Sequence, residues 1–204
     1  MIQYNENELI KKFKSIKDDN SVDYEEIMDF INSPEASQLI DEEQFDDLYH
    51  SYNIRLDKAA WPLTIALLIS GINFLDKLKT LPRTIFYTMP ITHIDISPSW
   101  DRLATQCLCR TELKEIIVPE GIHIINIKAF AFNDNLQTVV LPKSLKYIGS
   151  SIFAGCPSTL SSIKYMGTKE EWNEFGKSDD WDFGSSITTI QCSDGVIDLT
   201  DIYD

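Results

Sequence analysis

A chain of 204 residues with a net charge of −14 and a pI near 4.5 is poorly suited to gripping nucleic-acid phosphates. That grip depends on Lys and Arg displacing counterions. Its 43% hydrophobic and 25% charged residues are those of an ordinary globular protein, enough for one domain or two small ones. An acidic surface suits a basic protein partner, or simply keeps the chain in solution.

From the N-terminus, Met1 to Lys14 lacks the basic-then-apolar pattern of a secretory signal, so none is expected. Leu9, Phe13 and Ile16 place one apolar stripe on a first helix. Ile27, Phe30 and Ile31 do so on a second, after a turn at Asp18–Ser21. Ser33 and Pro34 pair as N-cap and first-turn residue, with Phe45, Leu48 and Tyr49 as the buried face. The longest apolar stretch, Ala59 to Ile69, contains Pro62 and is far short of the roughly 20 residues a bilayer needs. It reads as a core helix that stops at Gly71. Phe74, Leu75 and Leu78 follow, and Leu81-Pro82 breaks the segment. Residues 1–60 hold 15 acidic residues against six basic ones, a balance of −9.

At Ile91 the period changes. Ile91-x-x-Ile94-x-Ile96 is followed by Leu113-x-x-Ile116-x-Val118-Pro119, then Leu136-x-x-Val139-x-Leu141-Pro142, then Leu160-x-x-Ile163-x-Tyr165. The starts lie 22, 23 and 24 residues apart, within the window of leucine-rich repeats. Leu103, Ile125 and Ile148 align, as do Leu108, Phe130 and Phe153. Alternation puts Ile116 and Val118 on one side of a strand, and the proline behind stops it. One coil cannot bury its apolar side alone, so neighbours stack.

The phrases Leu113–Ile122, Lys128–Phe132, Leu136–Gly149 and Phe153–Cys156 resemble the BspA-like leucine-rich repeat family. The resemblance continues in Tyr165-Met-Gly167-Thr168-Lys-Glu-Glu-Trp172 and in Ile187–Gly195, which is similar to the family's closing strand. Departures are Ser97 in place of Pro, Cys107-Leu108 in place of Ala-Phe, Asn133 in place of Cys, and Asn126 in place of the Gly at 149. A short, signal-less chain with few repeats most resembles the phage-encoded members. The resemblance then implies a host protein as partner and the host cytoplasm, or a virion, as location.

Candidate sites outside the repeats are weak. Asp18–Asp23 has Val22 at a ligand position and no sharp-turn glycine, so it reads as a solvated turn rather than a calcium loop. Asp182-Phe183-Gly184 lacks every companion motif of a kinase. Cys107, Cys109, Cys156 and Cys192 fit no zinc spacing and read as reduced thiols, with Cys107 facing the core in register with Ala129 and Ile152. His50, His93 and His123 have no nucleophile motif beside them, so catalytic residues, metal and cofactors are all expected to be absent. The strand face that meets solvent carries Glu115, Ile117, Thr138, Val140, Ser162 and Lys164, with Thr92, His93 and Asp95 on the first coil. Ile117 and Val140 read equally well as a partner contact or as ordinary strand formers. Asp41, Glu42, Glu43, Asp46 and Asp47 form a solvated acidic face or, alternatively, a surface imitating DNA for a basic protein.

The expectation is an α+β chain. An acidic helical bundle (1–88) caps a right-handed solenoid of about four leucine-rich coils (89–204), closed by a helix at Lys169–Phe175 and a last strand. The expected function is non-catalytic binding of another, basic protein. A structural part of a larger assembly such as a phage virion is the alternative, and neither membrane nor direct nucleic-acid binding is expected.

Overall fold

The computed structural model describes residues 2–4, 83 and 85–200, all belonging to one unit, Met1–Tyr4 with Thr80–Asp204. The helices expected between Leu9 and Leu78 and the acidic run Asp41–Asp47 lie outside the described residues.

Each coil has three walls. The first is a row of strands: β2 (Ile91–Ile94), β4 (Glu115–Ile117), β6 (Thr138–Leu141), β8 (Ser162–Tyr165) and β10 (Thr189–Cys192). From β4 to β10 they pair in parallel, in the order in which they occur in the chain. Alternation does the sorting here: Ile116, Val139 and Ile163 are buried while Ile117 and Lys164 point outward. Pro119 and Pro142, lacking an N–H, end the strand run and turn the chain. The second wall is made of two-residue strands, β3 (Arg102–Leu103), β5 (Ile124–Ile125), β7 (Tyr147–Ile148) and β9 (Gly176–Lys177), again parallel. Leu103, Ile125 and Ile148 fill the interior behind it, each fully buried.

The third wall has no strand, yet its backbone groups are paired between coils, as buried amides must be. Gln106, Leu108 and Arg110 donate to the carbonyls of Ile127, Ala129 and Ala131. One coil later, Lys128, Phe130 and Phe132 donate to those of Ser150, Ile152 and Ala154. Two residues per turn, four apart, adopt the left-handed conformation: Gln106 and Arg110, Lys128 and Phe132, Ser151 and Gly155, with Thr88 in the turn before. Side-chain-bearing residues pay roughly 1–2 kcal/mol for that conformation. Lys128→Gly, at φ 54°, should therefore raise the urea midpoint by the equivalent of about 0.5–1 kcal/mol after glycine's entropy cost. A lower midpoint would mean that contacts of the Lys128 stem outweigh the strain.

The pattern begins before Ile91. Phe86 and Thr88 donate to Cys107 and Cys109 as their counterparts do in later coils, so Ile85–Thr88 form a coil turn where the sequence reads as the end of a helical region. The interior is mostly apolar, with Phe130 and Phe153 packed ring to ring at 5.8 Å, and Thr111, Asn133 and Ser151 are its buried polar residues.

Among the described residues, two places depart from the repeat. Strand β1 (Ile2–Tyr4) lies antiparallel on β2, with Gln3 opposite His93. In the last coil a helix, α1 (Lys169–Glu174), interrupts the path between β8 and β9. It forms because Thr168 and Glu171 make a capping box: the hydroxyl accepts from Glu171 N and the carboxylate accepts from Thr168 N. Strand β10 then continues the first wall where Ile187–Gly195 was expected to close it, and β11 (Gly195–Asp198) folds back antiparallel on β10.

Candidate interaction face

The outward side of the first wall holds the candidate residues in two rows. Glu115 stands opposite Thr138, and Ser162 opposite Thr189. In the second row Ile117 stands opposite Val140, Val140 opposite Lys164, and Lys164 opposite Gln191. Ile117 is 54% exposed, Val140 and Ser162 are half-buried, and Glu115, Thr138 and Lys164 are exposed. The face thus offers one apolar pair flanked by a carboxylate and an ammonium. Ser162 Oγ is the odd member, buried without a hydrogen-bond partner.

Thr92, His93 and Asp95 are exposed, but β2 pairs in its own small sheet with β1 and does not join the ladder of β4 to β10. His93 Nε2 lies 3.0 Å from Asp95 Oδ1. His123 Nδ1 lies 2.9 Å from Asp101 Oδ1, beside a backbone bond from His123 N to Asp101 O. That pair ties the first coil to the second.

Nucleophilic chemistry finds little here. Cys107 is fully buried and its thiol is pushed far up by desolvation. Burial likewise raises Cys109 and Cys156 to about 11, so both stay protonated at neutral pH and are weak nucleophiles. All four cysteines are free. No group of His, Cys, Asp or Glu among the described residues could hold a metal ion. Asp182-Phe183-Gly184 is part of the last coil's third wall, where Gly184 O accepts from Gly155 N. Among the described residues no helix is long and apolar enough to cross a membrane.

Several polar side chains bond between coils. Glu120 accepts from the backbone N–H groups of Lys143 and Ser144 at 2.8 and 2.9 Å. Asn126 Nδ2 donates to Leu103 O. Asn133 is the centre of the largest set: Oδ1 accepts from Thr111 N and Thr111 Oγ1, while Nδ2 donates to Leu108 O and Phe130 O. The sequence marks Asn133 only as a departure at the Cys156 position. The signal available was a polar residue at a register that is otherwise apolar and buried.

Three of the depressed carboxylates bridge coils and so tie the stack to pH. The His123 hydrogen bond holds Asp101 below its ordinary 3.8, and Ser150 and Ser178 do the same for Asp180. Lys143, followed by the Thr168 amide, holds Glu171 below its ordinary 4.5. Depressed carboxylates contribute stability that is complete above the unfolded value and is lost as pH falls through the folded one. The melting temperature should therefore fall between about pH 5 and pH 3, and Asp180→Asn should make that fall shallower. A melting temperature flat over this range would remove the coil-to-coil carboxylates as contributors.

A family model described as the BspA type leucine-rich repeat region matches residues 67–175 in six copies. No curated protein matches the chain. Among solved structures, a leucine-rich repeat protein from Bacteroides ovatus is similar at 20% identity and a TM-score of 0.38, covering 58% of this chain. The match spans 34% of that protein's chain.

Proposed function

Because the chain belongs to the BspA-type leucine-rich repeat family, we propose that it is a non-catalytic protein-interaction module. Its contact surface is the outward face of β4, β6 and β8. Repeats of this family generally serve protein interaction, and one observation carries the reading to this surface. Ile117, more than half exposed, stands directly opposite Val140 in the next coil, on a face otherwise made of Glu115, Thr138, Ser162 and Lys164. Apolar contact supplies affinity in such a patch, and the charges around it set register and exclude wrong partners. The chain's −14 charge favours a basic protein, and on the resemblance to phage-encoded members that protein belongs to a bacterial host.

The test is capture of partners by the full chain, followed by affinity measurements on two variants. Ile117→Ser and Glu115→Lys should each weaken binding about tenfold or more while leaving the melting temperature within a degree or so, since neither side chain is in the core. Unchanged affinity in both would refute this face as the contact and move attention to the acidic residues 41–47.

A further inference from the structure

We propose that the outer edge of β11 is a second docking site, which accepts an extended basic segment of a partner protein as an added strand. The five-stranded sheet ends at β11, and among the described residues β10 is its only strand partner. Leu199 N donates to Thr188 O, which sets the phase of the antiparallel pair. Residues then alternate, so Ile197 and Gly195 direct their amide and carbonyl groups at β10, while Val196 and Asp198 direct theirs outward. Edges of this kind are usually blunted by Pro, Lys or a bulge. Gly195-Val-Ile-Asp198 has no Pro or Lys, and its register with β10 runs without a break. At the first coil β2 has an antiparallel partner in β1; no described strand does this for β11.

Charge selects the occupant. Val196, half exposed, and Asp198, exposed, project from the same side of the strand. Hydrogen bonds from Thr200 Oγ1 and Thr200 N hold the Asp198 carboxylate ionised. An added strand therefore sets an apolar side chain against Val196 and a Lys or Arg against Asp198, an apolar-x-basic pattern. A second copy of this chain is a poor occupant, since it brings another −14 charges to the same edge.

The experiment uses the full chain and the peptide Ser-Lys-Thr-Val-Thr-Lys-Ser, which reads alike in either strand direction. The expected result is binding that slows hydrogen exchange at the amides of Val196 and Asp198. Val196→Pro removes an outward N–H that β10 does not use, a position where an edge strand tolerates proline. It should weaken the peptide about tenfold or more at an unchanged melting temperature. If that variant fails to fold, Asp198→Lys serves instead and should reverse the preference toward the peptide with Glu in place of Lys. The proposal is overturned by no binding, or by protection on β4 to β8 instead, which would support the sheet face alone. It is also overturned by equal binding of the Lys and Glu peptides, or by a dimer that already protects both amides without peptide.

Discussion

Asn133→Ala should cost about 3 kcal/mol, lowering the melting temperature on the order of 10 °C. The side chain is fully buried and all four of its hydrogen-bonding positions are used. Truncation leaves the Thr111 N–H without its acceptor. It also weakens the pairing of the Leu108 and Phe130 carbonyls, which keep only long contacts from Thr111 Oγ1 and Cys156 Sγ, each 3.4 Å. Orphaned buried groups of this kind cost roughly 1–3 kcal/mol each. Thr111→Val is the comparator. It removes one hydroxyl and keeps the Thr111 N–H bond to Asn133, so about 1 kcal/mol is expected. Urea unfolding of the two variants separates a hub from an ordinary polar contact. Equal, small losses would show that Asn133 is no more than the substitution the repeat pattern makes it.

Trp172→Ala should cost about 3–5 kcal/mol, the range for deleting a buried aromatic ring. Trp172 is 2% exposed and lies 5.2 Å from the Tyr165 ring, 5.1 Å from Phe175 and 5.4 Å from Trp181, ring centre to ring centre. These contacts bind α1 to strand β8 on one side and to the last third-wall turn on the other. Lys177 completes the cluster: Nζ sits 4.1 Å from the Phe175 ring centre and donates to the carbonyls of Trp172 and Phe175. Its position at the end of the helix suits a cation, because the carbonyl dipoles point there. Hydrogen exchange should localise the damage. Amides of β9 and β10 should lose protection in the variant while those of β4 and β6 keep theirs. Uniform loss across the stack would mean that the coils unfold as one cooperative unit.

The repeat was legible because its buried residues recur at nearly constant spacing. Leu113, Leu136 and Leu160 are buried in the core, and Ile117, Val140 and Lys164 fall into one lateral row. What stayed hidden had no period to reveal it. The second-wall strands are two residues long, too short for alternation to register. Strand β1 meets a partner nearly ninety residues away along the chain, so nothing local announces it. The coil turn at Ile85–Thr88 keeps Phe86 in line with Leu108 but has Tyr87 and Thr88 where the next coil has Cys109 and Arg110. The backbone hydrogen bonds and the left-handed Thr88 therefore show the equivalence more plainly than the side chains do. Asn133 was visible as a departure from the repeat. Its importance was not, because the four groups it satisfies belong to turns whose shape the sequence does not state.

The hydrogen bonds that join the coils also say how the stack assembles. Asp101 to His123, Thr111 to Asn133, Glu120 to Lys143 and Leu103 to Asn126 all link residues 22 or 23 apart. Each coil therefore closes on the one beside it, over loops of similar and modest length, so no single contact demands a long search through the chain. Assembly can proceed as a zipper from an interior pair of coils, with every added coil templated by the last. The number of coils is then a quantity evolution can vary without redesign. Duplicating the segment from Leu113 to Asn135 should give a longer stack that still folds, with its two ends unchanged.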